Sequence, residues 1–183
     1  MTWILVDRTL LSLYIPLVYL RGMSSITVRT IQPVDNTVLA GIIRSTLAEF
    51  GANKPGTVYF DPTTDALYEL FQTPGSRYYV AVLNNQLLGG AGIFPSKGLP
   101  PGTCELVKMY LVPEGRGQGT GKMLIEKALQ FAGEAGYTQV YIETMPELKQ
   151  AMRVYEKFGF EYLDGPLGDT GHYGCEIWML KKL

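Results

Sequence analysis

Residues 115–122 read GRGQGTGK, with a glycine at every other position. The run before them, CELVKMYLVP, has the character of a strand, and the run after, MLIEKALQFAGEAG, has helical spacing. A glycine-rich turn between a strand and a helix suits a phosphate. Glycines let the main chain approach a ligand with no Cβ in the way, and a helix N-terminus presents unpaired N–H groups and the positive dipole end. Two familiar phosphate loops are excluded by counting. G-x-x-x-x-G-K-[ST] read back from Gly121 and Lys122 needs glycine where Arg116 stands and a hydroxyl where Met123 stands. G-x-G-x-x-G started at Gly115, Gly117 or Gly119 ends on Thr120, Lys122 or Leu124. The pattern that fits is R-x-x-G-x-G: Arg116, Gly119, Gly121. The plain alternative is a connector with helix-start glycines, although four glycines exceed what a connector requires.

The elements that would position this turn alternate along the chain. SITVRTI reads as a strand. NTVLAGIIRSTLAEFG places Leu39, Ile42, Ile43, Thr46, Leu47 and Phe50 on one helical face, with Gly51 as a stop. TDALYELFQ is a short helix between loops. RYYVAVL, the turn NNQ and LLGGAGIF form a hairpin. The strand at 104–112 leads into the glycine turn and a helix over about 119–135 that Gly136 ends. YTQVYIET is a strand. TMPELKQAMRVYEKFG is a helix, with Thr144 and Glu147 at capping-box spacing and Pro146 in the first turn. FEYLD and HYGCEIWMLKKL close the chain as strands, the last apolar enough to pair with another chain. The expectation is one α/β domain with a mixed sheet and no internal repeat.

Composition narrows the function classes. The chain has 183 residues, almost half apolar, with a net charge of −1 and no long Lys/Arg run, so it is globular and not a nucleic-acid binder. Cys104 and Cys175 are far apart and read as reduced thiols. With His172 the only histidine, a structural zinc site is not expected and no metal is assigned. LLSLYIPLVYL, residues 10–20, lies between Arg8 and Arg21 and is shorter than the roughly 20 residues that span a bilayer. It also makes a poor signal peptide, with Asp7 ahead of it and no A-x-A site after it. Residues 1–22 are therefore read as a hydrophobic extension, an anchor or extra packed element being the alternative, and 23–183 as the domain. A cytoplasmic protein with no membrane partner is expected.

The run ELVKMYLVPEGRGQGTGKMLIEKALQFA resembles the acyl-CoA binding core of the GCN5-related N-acetyltransferases (GNAT), and AMRVYEKFGF resembles that family's second signature. The resemblance covers roughly residues 25–183 and is most specific over 104–160. It implies a mostly antiparallel sheet of about 6–7 strands flanked by about 4 helices. It also implies acetyl-CoA as co-substrate, and direct attack of an amine on the acetyl thioester in a ternary complex. The coenzyme pyrophosphate would then lie on the amides of Arg116, Gly117, Gln118, Gly119, Thr120 and Gly121, with Arg116 or Lys122 adding charge. The pantetheine arm and thioester would lie along Met109, Tyr110, Leu111 and Val112, with Leu111 on the carbonyl, where the strand splays or bulges.

For the chemistry, the resemblance implies Tyr155 as the acid for the leaving thiolate. The alternative is simple core, because Leu148, Ala151, Met152 and Tyr155 follow an apolar helix stripe. Glu105, expected on one strand face with Val107, Met109 and Leu111, is implied as the base that takes the ammonium proton through a water, or else is a carboxylate pairing with Lys108 or another cation. Glu143 is a second base or a holder of a cationic acceptor. His172 is a base or pocket donor, or an exposed turn residue. The acceptor pocket would be shaped by residues 42–72, PSKGLPPG and DGPLGDTGHYG, whose vicinity supplies Phe50, Tyr59, Phe60, Tyr68, Tyr78 and Tyr173. A small primary amine is the expected acceptor, with a protein acceptor as the rival. A non-catalytic acyl-CoA sensor and an unrelated nucleotide module are alternatives from other classes. A monomer or homodimer is expected.

Overall fold

Each alternating run of the sequence becomes a strand of one sheet. The computed structural model describes residues 25–171 and 173–183; the 1–22 extension and His172 lie outside the described residues. The strands are β1 (Thr27–Thr30), β2 (Arg77–Leu83), β3 (Gln86–Phe94), β4 (Thr103–Leu111), β5 (Gln139–Thr144), β6 (Glu161–Leu163) and β7 (Ile177–Lys182). Their order is β1-β2-β3-β4-β5-β7-β6. Every neighbouring pair is antiparallel except β4 with β5. The β2–β3 hairpin turns on Asn84 and Asn85, at φ 50° and 64°, the left-handed pair that matches strand twist in a two-residue turn.

Helices α1 (Asn36–Glu49) and α2 (Leu67–Leu70) cover one face of the sheet, and α3 (Thr120–Glu134) and α4 (Lys149–Lys157) the other. The apolar stripes do the covering. Leu39, Ile43 and Leu47 pack on Tyr78, Val80 and Val107, while Leu124, Ile125, Ala128 and Phe131 pack on Ala91, Ile93 and Leu106. Two glycines in β3 shape the first face. A Cβ on Gly90 would stand 2.4 Å from the Tyr78 ring, and one on Gly92 2.4 Å from the Phe71 ring. Without those carbons both rings can close on the strand. Among the described residues no helix is long and apolar enough to cross a membrane.

Two expectations are corrected. The helix expected from Thr144 begins at Lys149. Thr144 stays on β5 opposite Ile177, and the Glu147 carboxylate turns to the Lys54 ammonium at 3.3 Å, so no capping box forms. The last strand begins at Ile177 and is no edge: β5 and β6 pair with it on both sides, leaving no ladder for another chain.

Candidate active site

The glycine turn ends in left-handed backbone, with Gly117 at φ 73° and Gly119 at φ 83°. Gly119 is the N-cap of α3 and brings no side chain to cap it, so the first-turn amides point outward. The side chains of the turn look elsewhere. Arg116 donates from Nε to the Leu111 carbonyl at 3.0 Å and grips both Glu49 carboxylate oxygens, at 2.6 and 2.7 Å. Its guanidinium lies 5.2 Å from the Phe50 ring centre. Gln118 donates to the Glu114 carbonyl, and Lys122 is exposed, 3.7 Å from Glu126. The turn therefore offers an anion its main chain first, with Lys122 at the rim.

Upstream, β4 carries a bulge. Gly90 faces Tyr110 and Gly92 faces Val107, so three steps on β4 match two on β3. The extra residue shows in Lys108, at φ 50°. The Tyr78 hydroxyl donates to the Lys108 carbonyl at 2.8 Å and pins the bulge. The bulge shifts the phase of the strand, which corrects the expected face. Val107 and Tyr110 pack toward α1 and α2, whereas Cys104, Leu106, Met109 and Leu111 pack toward α3. Glu105, two residues before Val107, shares no face with Met109 and Leu111.

β4 and β5 pair only from Thr103–Gln139 to Glu105–Tyr141 and then part. Glu105, Met109, Tyr110, Glu143, Tyr155 and Cys175 line the gap between them. The Val112 N–H goes to the Leu88 carbonyl at 2.9 Å on the β3 side. Alternation along an antiparallel strand turns the Leu111 N–H the other way, toward the gap. Tyr155 is 5% exposed and packs in the α3-side core, yet its hydroxyl reaches the gap, 3.7 Å from Met109 Sδ. Burial pushes its pKa well above the ordinary tyrosine value, so it stays protonated. Burial likewise pushes the Cys175 thiol up to about 12. Both cysteines are free.

On the α1 side lies a cleft of about 520 Å³, whose lining includes Phe60, Asp61, Phe94, Ser96, Lys108 and Tyr173. Gap and cleft meet at Thr57, Val107 and Lys108. Lys108 is buried. Its ammonium lies 2.6 Å from Asp61 Oδ2 and 3.3 Å from Thr64 Oγ1. Burial lowers the Lys108 pKa, with Asp61 opposing. Burial also pushes Asp61 up, but Lys108 and Thr63 outweigh it and hold the carboxyl below its ordinary value.

The candidate carboxylates stand behind this cleft and line the gap instead. Glu105 is 2% exposed and accepts a hydrogen bond from Ser96 Oγ. Glu143 accepts from the Tyr141 hydroxyl at 2.8 Å and from Thr170 Oγ1 at 2.6 Å. Of the expected aromatic walls, Phe60 and Tyr173 reach the cleft. Tyr78 is buried behind the bulge, Phe50 sits by Arg116, Tyr59 leans on Phe60, and Tyr68 packs at the α2 core. Asp61, Ser96 and Thr170 fall within the three stretches expected to shape the acceptor pocket, although none of them is singled out there. Nothing local marks them. The one available signal was a lysine in the middle of a strand, three residues after Glu105. Among the described residues no group of His, Cys, Asp and Glu could hold a metal ion.

Residues 43–160 match the model of the Acetyltransferase (GNAT) family. An uncharacterized N-acetyltransferase of Escherichia coli (strain K12), YjgM, is 43% identical over 151 residues, 81% of this chain and 90% of its own. A GNAT-family acetyltransferase structure from Staphylococcus aureus Mu50 superposes with TM-score 0.77 at 18% identity, covering 86% of this chain and 99% of its own. The structure of yncA from Salmonella typhimurium, a putative acetyltransferase with its cofactor acetyl-CoA, superposes with TM-score 0.67 at 19% identity, covering 87% of this chain and 94% of its own.

Proposed function

Because this chain belongs to the GNAT family and is an acetyl-CoA-dependent N-acetyltransferase, we propose that it acetylates the primary amine of a small molecule by direct attack in a ternary complex. The observation that carries this reading is the meeting of two spaces at Lys108. The β4–β5 gap lies along the strand that ends in the glycine turn, and a cleft of about 520 Å³ opens on the other side, a size that suits a small ligand. A thioester held in the gap would face an amine held in the cleft.

In this reading the coenzyme pyrophosphate rests on the amides of residues 116–121, and the Leu111 N–H polarises the thioester carbonyl. A donor fixed in that position is worth about 3 kcal/mol in the transition state. Tyr155, kept protonated by burial, gives its proton to the leaving thiolate. Glu105 is the sink for the ammonium proton, and Glu143 supports positive charge at the far wall. Phe60, Phe94 and Tyr173 give the acceptor apolar contact beside the charged groups. The two free thiols fit a reducing compartment, and we place the enzyme in the cytoplasm.

Titration with acetyl-CoA, followed by thiol release with 2-phenylethylamine, 1,4-diaminobutane, L-lysine and a lysine-containing peptide, tests the reading. Turnover on at least one small amine is expected. Turnover on the peptide alone rejects the small acceptor, and coenzyme binding with no turnover favours a sensor. Tyr155→Phe should lower turnover by roughly 10²- to 10⁴-fold and leave the acetyl-CoA Kd unchanged. Unchanged turnover would remove Tyr155 from the mechanism.

A further inference from the structure

Glu105 is 2% exposed and belongs to the gap lining, whereas the acceptor enters from the cleft. One side chain joins the two. Ser96 lines the cleft, and its Oγ donates to Glu105 Oε2. The Ser96 main chain is itself anchored, its N–H donating to the Phe94 carbonyl at 3.0 Å just past the end of β3. We infer that Ser96 is the proton relay between acceptor and base: the ammonium proton of the acceptor passes to Ser96 Oγ as the Ser96 hydroxyl proton passes to Glu105. This rests on Glu105 being the proton sink.

The step balances. The ammonium loses one proton through Ser96 to Glu105 and becomes a neutral amine. Its lone pair forms the C–N bond at the thioester carbon, the C–S bond breaks, and the thiolate leaves with a proton from Tyr155. The nitrogen sheds its second proton as the amide forms, and that proton restores Tyr155 through solvent. Overall one ammonium and one thioester yield one amide, one thiol and one proton, which Glu105 releases. A hydroxyl suits the task because it donates and accepts at the same atom. Without it, a buried carboxylate would need a bridging water or the acceptor nitrogen itself inside the gap. The charged and titratable groups around Glu105 are Lys108 on its own strand, Tyr141 on the paired strand, and Cys104 and Cys175. Lys108 is the cation among them. Thr170 and Glu143 form a second hydroxyl–carboxylate pair on the opposite wall, and Thr170 also lines the cleft. Glu143 also accepts from the Tyr141 hydroxyl.

The test compares Ser96→Ala, Ser96→Thr, Glu105→Gln and Thr170→Val, using whichever of the three small amines above turns over best. Acetyl-CoA Kd and melting temperature are recorded beside kcat across pH. Ser96→Ala should lower kcat about 10- to 100-fold near neutral pH, leave the Kd unchanged, and recover as pH rises past the pKa of the amine, where no ammonium proton need be moved. Ser96→Thr, which keeps the hydroxyl, should stay near the parent. A Ser96→Ala profile parallel to the parent at every pH overturns the relay, as does equal loss in Ser96→Thr with an unchanged melting temperature. Loss in Thr170→Val but not in Ser96→Ala moves the path to Glu143 and overturns it too. Full activity in Glu105→Gln, or no turnover on any small amine, defeats the underlying reading instead.

Discussion

The two ends of the open edge of β4 are built from different materials. At the glycine turn the main chain is on offer and the side chains face away, Arg116 to Glu49 and Gln118 to Glu114. At the bulge the reverse holds. The Lys108 carbonyl is taken by Tyr78, and the side chains of Lys108, Asp61 and Glu105 form the walls. A grip made of amides depends on backbone conformation and tolerates changes of side chain. A wall made of a buried ion pair depends on which side chains are present. In the proposed reading the first construction holds the coenzyme, which a whole family shares, and can stay constant, while the second holds the acceptor and can vary with it.

The largest effect should come from the wall. Lys108→Met removes the cation and leaves Asp61 facing a desolvated surface, which costs about 3 kcal/mol of folding stability in urea melts. The double variant Lys108→Met with Asp61→Asn should recover part of that loss, because no charge is then stranded. Equal stability of parent and single variant would mean that the pair holds nothing together. Acid probes the same contact. The folded carboxyl of Asp61 lies below its ordinary value, so its stabilisation is complete above about pH 4 and is lost as pH falls through the lower folded value. In Lys108→Met the ammonium is gone while the Thr63 hydrogen bonds remain, so the folded value of Asp61 moves up toward or past its ordinary value. Less stability is then lost as pH falls. Melting temperatures across the acid range should fall less steeply for the variant than for the parent.

The same contrast decides what could be read from the sequence. The glycine turn was legible because its physics is local. Gly117 and Gly119 stand where the backbone is left-handed, and α3 starts at Thr120 as its apolar spacing suggests. Asn84, Asn85, Gly51 and Gly136 are left-handed at the turns and helix ends where the sequence placed them. The bulge was expected but its position was not, because Lys108 is set by Tyr78, 30 residues away, lying over two glycines of β3. Moving one residue out of register carried Glu105 to the opposite face from Met109 and Leu111. Asp61 and Ser96 lie in stretches expected to shape the pocket, but their roles come from partners on β4 that no local pattern names. Thr144 shows a local signal losing. Its cap spacing with Glu147 was overridden by pairing with β7 and by Lys54.

The two smallest effects test the glycine turn itself. In Gly119→Ala the added carbon meets nothing within 4 Å, so the penalty is conformational, about 1–2 kcal/mol at a φ of 83°. Because the first-turn amides of α3 should move with it, acetyl-CoA affinity should fall along with stability, whereas Lys108→Met should leave that affinity nearly intact. If Gly119→Ala bound acetyl-CoA as the parent does, the turn would not be the coenzyme grip. Arg116→Gln is the sharper discriminator. Its guanidinium is committed to Glu49 and Leu111 rather than to the space in front of α3. A phosphate gripped by amides should hardly notice the loss, with the acetyl-CoA Kd changing within about twofold, as for an exposed ion pair. A phosphate gripped by Arg116 itself would bind at least about tenfold more weakly, the effect of a lost charge-assisted hydrogen bond. That outcome would mean that Arg116 leaves Glu49 when the coenzyme arrives, and the division between a main-chain grip and a side-chain wall would fail at its first residue.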